Sequence, residues 1–333
     1  MKCRSYLPSV VLTTFITLTM TMSSLKTSEN NDEFNKPFSA VSLYNKVQNL
    51  LEENKGLFDS SKDQNIVVFI GNTGSGKSTL INFLSDKELS VDPNGDVVLK
   101  DPEDVNSMKI GTGNQSETFF PKFIKLTDMT FFDVPGIGDT RGIEISLMNA
   151  SFIKHIIEGA KSVRLVYVAG MDEITAARGT NFKELVKVTD KIVSKQNVQD
   201  CSVLVITKSQ PRDKTKVKEK LLSKTESGIL DRWFNENKFA RFSAPSNDEI
   251  FMLEKEDIFL TILKSQPQRI EAINTSVLFG DKELGTLETI YTQEILNLVE
   301  KLIQSKSNFK NVDIDVLKNK SNILERIFQM IYY

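Results

Sequence analysis

The sequence predicts an α/β fold, with a mostly parallel central sheet flanked by helices and a helical extension after it. Three observations predict it. Four apolar runs, 66–71, 129–136, 164–170 and 201–208, have the length of strands and lack the polar alternation of a strand with one wet face. Segments with helical apolar spacing lie between them, near 144–159 and 180–195. A glycine-rich turn joins the first run to the helical segment KSTLINFLSD. Parallel strands need crossover helices, and those helices cover both faces of the sheet.

The elements follow in chain order. Between Arg4 and Lys26 runs the charge-free stretch SYLPSVVLTTFITLTMTMSSL, preceded by Lys2 and Arg4, which is the layout of a targeting signal or short anchor over residues 1–25. Its five threonines weaken it as a membrane span, so cleaved, anchoring and inert roles stay open, and with them a cytoplasmic or a membrane-associated protein. Residues 26–63 read as a linker and an amphipathic helix, with Leu43, Val47, Leu50, Leu51 and Phe58 on one face. Residues 64–265 hold the strand–helix alternation. In the extension, 266–333, the stretches 287–303 and 316–333 carry apolar residues three and four apart.

Composition excludes several classes. A 333-residue chain with 40% hydrophobic and 26% charged residues can bury a large core and is not a disordered polymer. A net charge of −2 gives no basic footprint for DNA or RNA, so nucleic acid is not an expected partner. Cys3 and Cys201 are the only cysteines and cannot form a disulfide framework. His155 is the only histidine, which removes His-based triads and multi-His metal sites and leaves it an ordinary helix residue.

The chemistry begins at NIVVFIGNTGSGKSTLINFL. Gly71-Asn72-Thr73-Gly74-Ser75-Gly76-Lys77-Ser78 fits G-x-x-x-x-G-K-S/T, with an apolar strand before it and a helix after it, the context of a Walker A loop. Glycines let the backbone N–H groups wrap a β-phosphate, and the helix start adds its positive dipole end. Lys77 is then expected on the β and γ phosphates, Ser78 on Mg²⁺, and Thr79 beside the nucleotide in the first helical turn. Both ATP and GTP machines use such a loop.

The strand MTFFDVPG separates them. Asp133-Val134-Pro135-Gly136 matches D-x-P-G, in which the carboxylate partners Mg²⁺ and the glycine N–H faces a γ-phosphate. An ATPase of the ABC type needs an L-S-G-G-Q-like signature and acidic residues closing this strand, and neither is found. Upstream, GTGNQSETFFPKF has the polarity of a mobile switch; Thr118 is the candidate for closing on Mg²⁺ and the γ-phosphate, with Thr112 and Ser116 as competitors.

On GNTGSGKSTLINFL and FFDVPGIGDTRG, over about residues 64–265, the chain resembles the septin-like and immunity-associated branch of the translation-factor-related GTPases, including G-domain proteins of protists. The resemblance implies a Ras-like P-loop NTPase fold, GTP or GDP with Mg²⁺ as ligands, slow turnover, and nucleotide-dependent assembly as a homodimer or oligomer. It places the base-reading motif N/T-K-x-D at Thr207-Lys208-Ser209-Gln210, and the late S-A element at Ser243-Ala244. Gln210 departs from it, because an amide cannot accept from both donors of the guanine edge; Asp213 reaches that role only if the loop shifts past Pro211. The residue after Gly136 is Ile137, which cannot orient water. Asp139 and Arg141 in GIGDTRG are polar groups close to the expected phosphate face, and Arg141 is either a charge stabiliser or an exposed loop arginine. Three functions follow: a slow GTPase switch, a P-loop ATPase or kinase, and a pseudo-GTPase that binds without turnover.

Overall fold

The computed structural model describes residues 40–111, 120–136, 143–193, 200–209, 214–223, 228–243, 248–271, 273, 281–307, 322–326 and 329. All of them belong to one compact unit, Ser39–Tyr333. Residues 1–25 therefore lie outside the described chain. Among the described residues no helix is long and apolar enough to cross a membrane.

Two helices, α1 (Ala40–Glu53) and α2 (Lys55–Ser61), lead into strand β1 (Asn65–Ile70), and α3 (Lys77–Leu84) follows the glycine loop. A hairpin, β2 (Leu89–Val91) and β3 (Val97–Leu99), precedes β4 (Lys122–Lys125) and β5 (Thr130–Asp133). Then come α4 (Ile143–Gly159), β6 (Ser162–Gly170), α5 (Met171–Thr175), α6 (Thr180–Val193), β7 (Ser202–Ser209), α7 (Lys214–Leu222), α8 (Gly228–Asn235), β8 (Phe239–Ser243), α9 (Asp248–Lys264) and α10 (Asp281–Ser307).

Six strands form one sheet in the order β4-β5-β1-β6-β7-β8. Only the β4–β5 pair is antiparallel, and the other four pairs run parallel. The side-chain period of two explains why the inner strands carry runs of successive apolar residues. In β1, Ile66, Val68 and Ile70 face a core shared with α1, α4, α6 and α8, while Val67 and Phe69 face a second core with α3 and α9. Burial of both faces turns an alternating pattern into a continuous one. The fold class expected from sequence is the one observed.

The differences lie at the margins. Strands β4 and β8 were not expected, and neither was the β2–β3 hairpin, which turns through Asp92-Pro93-Asn94-Gly95-Asp96 with Asp92 Oδ1 accepting the N–H groups of Asn94 and Asp96. Helix α10 packs on α4 and α1, with Leu287 2% exposed. Of the stretch 316–333, only 322–326 and 329 are described, and Leu324 joins the same core. His155 Nδ1 pairs with Ser151 O at 2.8 Å and its ring packs on Phe58, as a helix residue would. Cys201 is buried at the start of β7, and burial pushes its thiol up to about 12.

Candidate functional site

The site lies at the C-terminal edge of the sheet, where parallel α/β folds open their crevices. Strand β1 ends at Gly71, where a Cβ would fall 2.2 Å from Val168 O of β6, so the chain turns out of the sheet hard against its neighbour. Gly74 at φ +78° and Gly76 at φ +87° then take left-handed backbone that glycine alone adopts without strain. The loop feeds directly into α3 at Lys77.

Lys77 is 6% exposed, and its Nζ donates to Gly71 O at 3.1 Å and Asn72 O at 3.0 Å. The cation is thus lashed to the loop it serves. Ser78 Oγ donates to Asp133 Oδ2 at 2.6 Å, with Asp133 1% exposed at the end of β5. A hydroxyl and a carboxylate brought together here form an all-oxygen pair that suits a hard divalent cation. Thr79 follows, half-buried, in the first turn of α3.

The D-x-P-G strap closes on this loop. A Cβ on Gly136 would lie 2.4 Å from Thr73 N and 2.5 Å from Thr73 Oγ1, so the strap's glycine rests on the loop's backbone. Thr73 Oγ1 and Ser75 Oγ are buried and have no hydrogen-bond partner among the described residues. Buried hydroxyls left unpaired cost free energy unless a ligand meets them. Together with the two left-handed glycines and the Ser78–Asp133 pair, they fit a bound phosphate chain with Mg²⁺.

The residues expected at the base side lie at the ends of β7 and β8, next to the end of β6. Thr207 Oγ1 donates to Ser75 O at 2.5 Å, so this threonine is a strut for the phosphate loop. Lys208 Nζ reaches Asp172 Oδ2 at 2.6 Å. Ser243 stands opposite Ser209 at the end of β8, where its N–H donates to Glu254 Oε2 at 2.9 Å and its hydroxyl to Glu254 Oε1. Thr118, Arg141, Gln210 and Ala244 lie outside the described residues, as do Thr112, Ser116, Ile137, Asp139, Pro211 and Asp213.

Two carboxylates of α5 escaped the motif reading. Glu173 Oε2 accepts from Asn72 Nδ2 at 2.7 Å, and Asn72 Nδ2 also donates to Asn181 O at 3.2 Å. Burial raises the Glu173 carboxyl above its ordinary value, against the opposing pull of hydrogen bonds from Asn72 and the Gly170 N–H and of the Lys77 charge. Glu173 therefore braces the second residue of the loop whose carbonyl holds Lys77. The signal that could have found it is positional: GMDEIT directly follows the C-terminal end of an apolar strand.

No curated protein is significantly similar to the chain in sequence. Toc33 from Arabidopsis thaliana, crystallised with GDP and Mg²⁺, is 15% identical, with 71% of this chain and 99% of that chain covered and a TM-score of 0.37. A dimerization-deficient mutant of Toc33 gives 15% identity, 71% and 96% coverage, and a TM-score of 0.39. The signal recognition particle receptor SRb-GTP/SRX complex from Chaetomium thermophilum gives 14%, 59% and 99%, and 0.32. Residues 66–230, which match the family model described as 50S ribosome-binding GTPase, form a GTPase G domain.

Proposed function

We propose that the chain binds GTP and GDP with Mg²⁺ in this loop and works as a nucleotide-dependent switch with slow hydrolysis, of the septin-like and immunity-associated kind. One observation carries the proposal. The strap glycine, Gly136, rests on Thr73 of the phosphate loop while Asp133 of the same strap holds Ser78. A γ-phosphate arriving at that junction meets both elements at once, so triphosphate and diphosphate favour different strap positions.

Asn72 to Ser78 cradle the phosphates through backbone N–H groups, with Lys77 as the fixed cation and Thr79 behind it. Ser78 and Asp133 hold the metal, with Thr118 as the switch threonine closing on it. Mg²⁺, when bound, neutralises charge on the β and γ oxygens. Thr207, Lys208, Gln210, Ser243 and Ala244 form the base side. Slow turnover follows from Ile137, which occupies the place after Gly136 and has no group to orient water. Arg141, in the same chain or from a second copy, supplies the missing charge, and assembly as a dimer then accelerates hydrolysis.

Titration of the purified chain with GTP, GDP and ATP in Mg²⁺ tests the proposal. GTP and GDP bind, and Lys77→Ala weakens both by about a hundredfold, because phosphate loses its buried cation. Equal affinity of the wild type and Lys77→Ala overturns the site. Preference for ATP points to an ATPase or kinase, a reading that Gln210 favours; GTP binding with no single-turnover hydrolysis points to a pseudo-GTPase, which Ile137 favours.

A further inference from the structure

Lys208 is held in place by two devices that arise separately. The first lies in its own strand. Ile206 faces Arg241 and Ser209 faces Ser243, so two residues of β7 oppose one of β8 between these pairs. That is a bulge, and Lys208 sits in it at φ +50°, left-handed backbone that a lysine rarely adopts. The bulge takes Lys208 out of the strand's alternation and turns it across the C-terminal edge of the sheet.

The second device lies at the end of β6. Asp172 Oδ1 accepts the Glu173 N–H at 2.9 Å, and its carboxylate folds back over Gly170. A Cβ on Gly170 would fall 2.2 Å from that oxygen, so the fold-back needs glycine there. Gly170 pairs with Thr207, the neighbour of Lys208. A bulge on one strand and a bare glycine on the next thus bring a lysine and an aspartate to 2.6 Å.

We propose that Asp172 is a positioning residue of the nucleotide site and acts through Lys208. By holding the ammonium over the end of β6, it lays the aliphatic stem from β7 toward β6, beside Thr207 and the phosphate loop, as a surface on which a purine base stacks. The proposal rests on the guanine-nucleotide reading above. Gln210 brings no carboxylate, and an ammonium without one is drawn toward the triphosphate. The pair is open to water in this structure, 47% and 55% exposed, so it stabilises the unliganded protein little. A base laid over the stem excludes water and strengthens the same pair. A stem under a ring reads no base edge, so its effect is common to guanine and adenine.

Calorimetric titration with Mg-GTP and Mg-ATP of the wild type, Asp172→Asn, Asp172→Glu, Lys208→Met and the double variant Asp172→Asn/Lys208→Met tests this. If the wild type binds no guanine nucleotide, the functional reading fails and the inference with it, a result visible before any variant is compared. Given binding, Asp172→Asn weakens GTP and ATP alike by about threefold to tenfold. Asp172→Glu recovers at least half of that loss. In the Lys208→Met background Asp172→Asn has no further effect, because the partner through which it acts is gone. The inference is overturned by Asp172→Asn binding as the wild type does, by additive losses in the double variant, by no recovery with glutamate, or by a loss confined to GTP. Additive losses would make Asp172 structural, and a loss confined to GTP would make it a reader of the base edge.

Discussion

In the proposed base site, position 210 is the residue expected to set how sharply purines are told apart. Guanine presents two donors side by side, N1–H and the exocyclic amine, and an ionised carboxylate accepts both with charge assistance. A glutamine accepts through one oxygen and turns its NH₂ toward the second donor. Its donor–acceptor pair suits adenine at least as well, as in base readout by amides elsewhere. Gln210→Asp is therefore expected to widen the ratio of GTP to ATP affinity by about tenfold, roughly one charge-assisted bond. Competition titrations read this directly, and an unchanged ratio would pass the role to Asp213, with Asp213→Ala as the next variant. Residue placement was legible in the sequence where a motif specifies both residue type and position, as for Lys77, Ser78 and Asp133, which the fold brings to one edge of the sheet. It was not legible for Asp172, whose contact with Lys208 depends on a bulge and a glycine in two different strands, nor for Glu173, whose partner Asn72 lies far away in the sequence.

Between elements, the decisive contact is the strap over the phosphate loop. Gly136 approaches Thr73 so closely that a methyl group would stand 2.4 Å from Thr73 N, well inside any van der Waals contact, and both backbones are rigidly rooted in β5 and β1. Gly136→Ala must push the strap outward. The γ-phosphate then loses the strap N–H while the β-phosphate keeps the loop, so GTP affinity falls by about tenfold or more and GDP affinity changes little. Equal losses for the two nucleotides would reduce Gly136 to a packing glycine. The elements that carry this contact were readable because β1 and β5 are buried on both faces, so Ile66 to Ile70 and Phe131-Phe132 are apolar at successive positions. Strand β4 is a four-residue edge reading Lys-Phe-Ile-Lys, β8 carries Arg241 in its middle, and β2 and β3 are three residues each. Strands that short acquire their identity from the neighbours they pair with, and composition alone does not announce them.

On the scale of the whole molecule, the question is what the chain beyond the G domain is for. From sequence, the apolar helices from about residue 287 could serve either packing within one chain or contact between two. Helix α10 sets Leu287 into the same core as α1 and α4, with Leu284, Ile290, Tyr291 and Ile295 partly buried along the adjoining stripe. This part of the apolar face packs inside the chain, so a nucleotide-dependent assembly is expected to use another surface. Leu287→Ala tests this division. At 2% exposure the leucine is fully enclosed, and its truncation is expected to cost about 2–4 kcal/mol of unfolding free energy through lost burial and the cavity left behind. Urea unfolding of the wild type and the variant, each at two protein concentrations tenfold or more apart, separates the possibilities. An intramolecular contact gives the same difference in midpoint at both concentrations. A contact between copies gives a wild-type midpoint that rises with concentration, since dissociation is then part of unfolding. Light scattering with GDP and with a non-hydrolysable GTP analogue completes the experiment: a nucleotide-dependent dimer should form equally well from Leu287→Ala, and its loss in that variant would show that α10 lies at the interface after all.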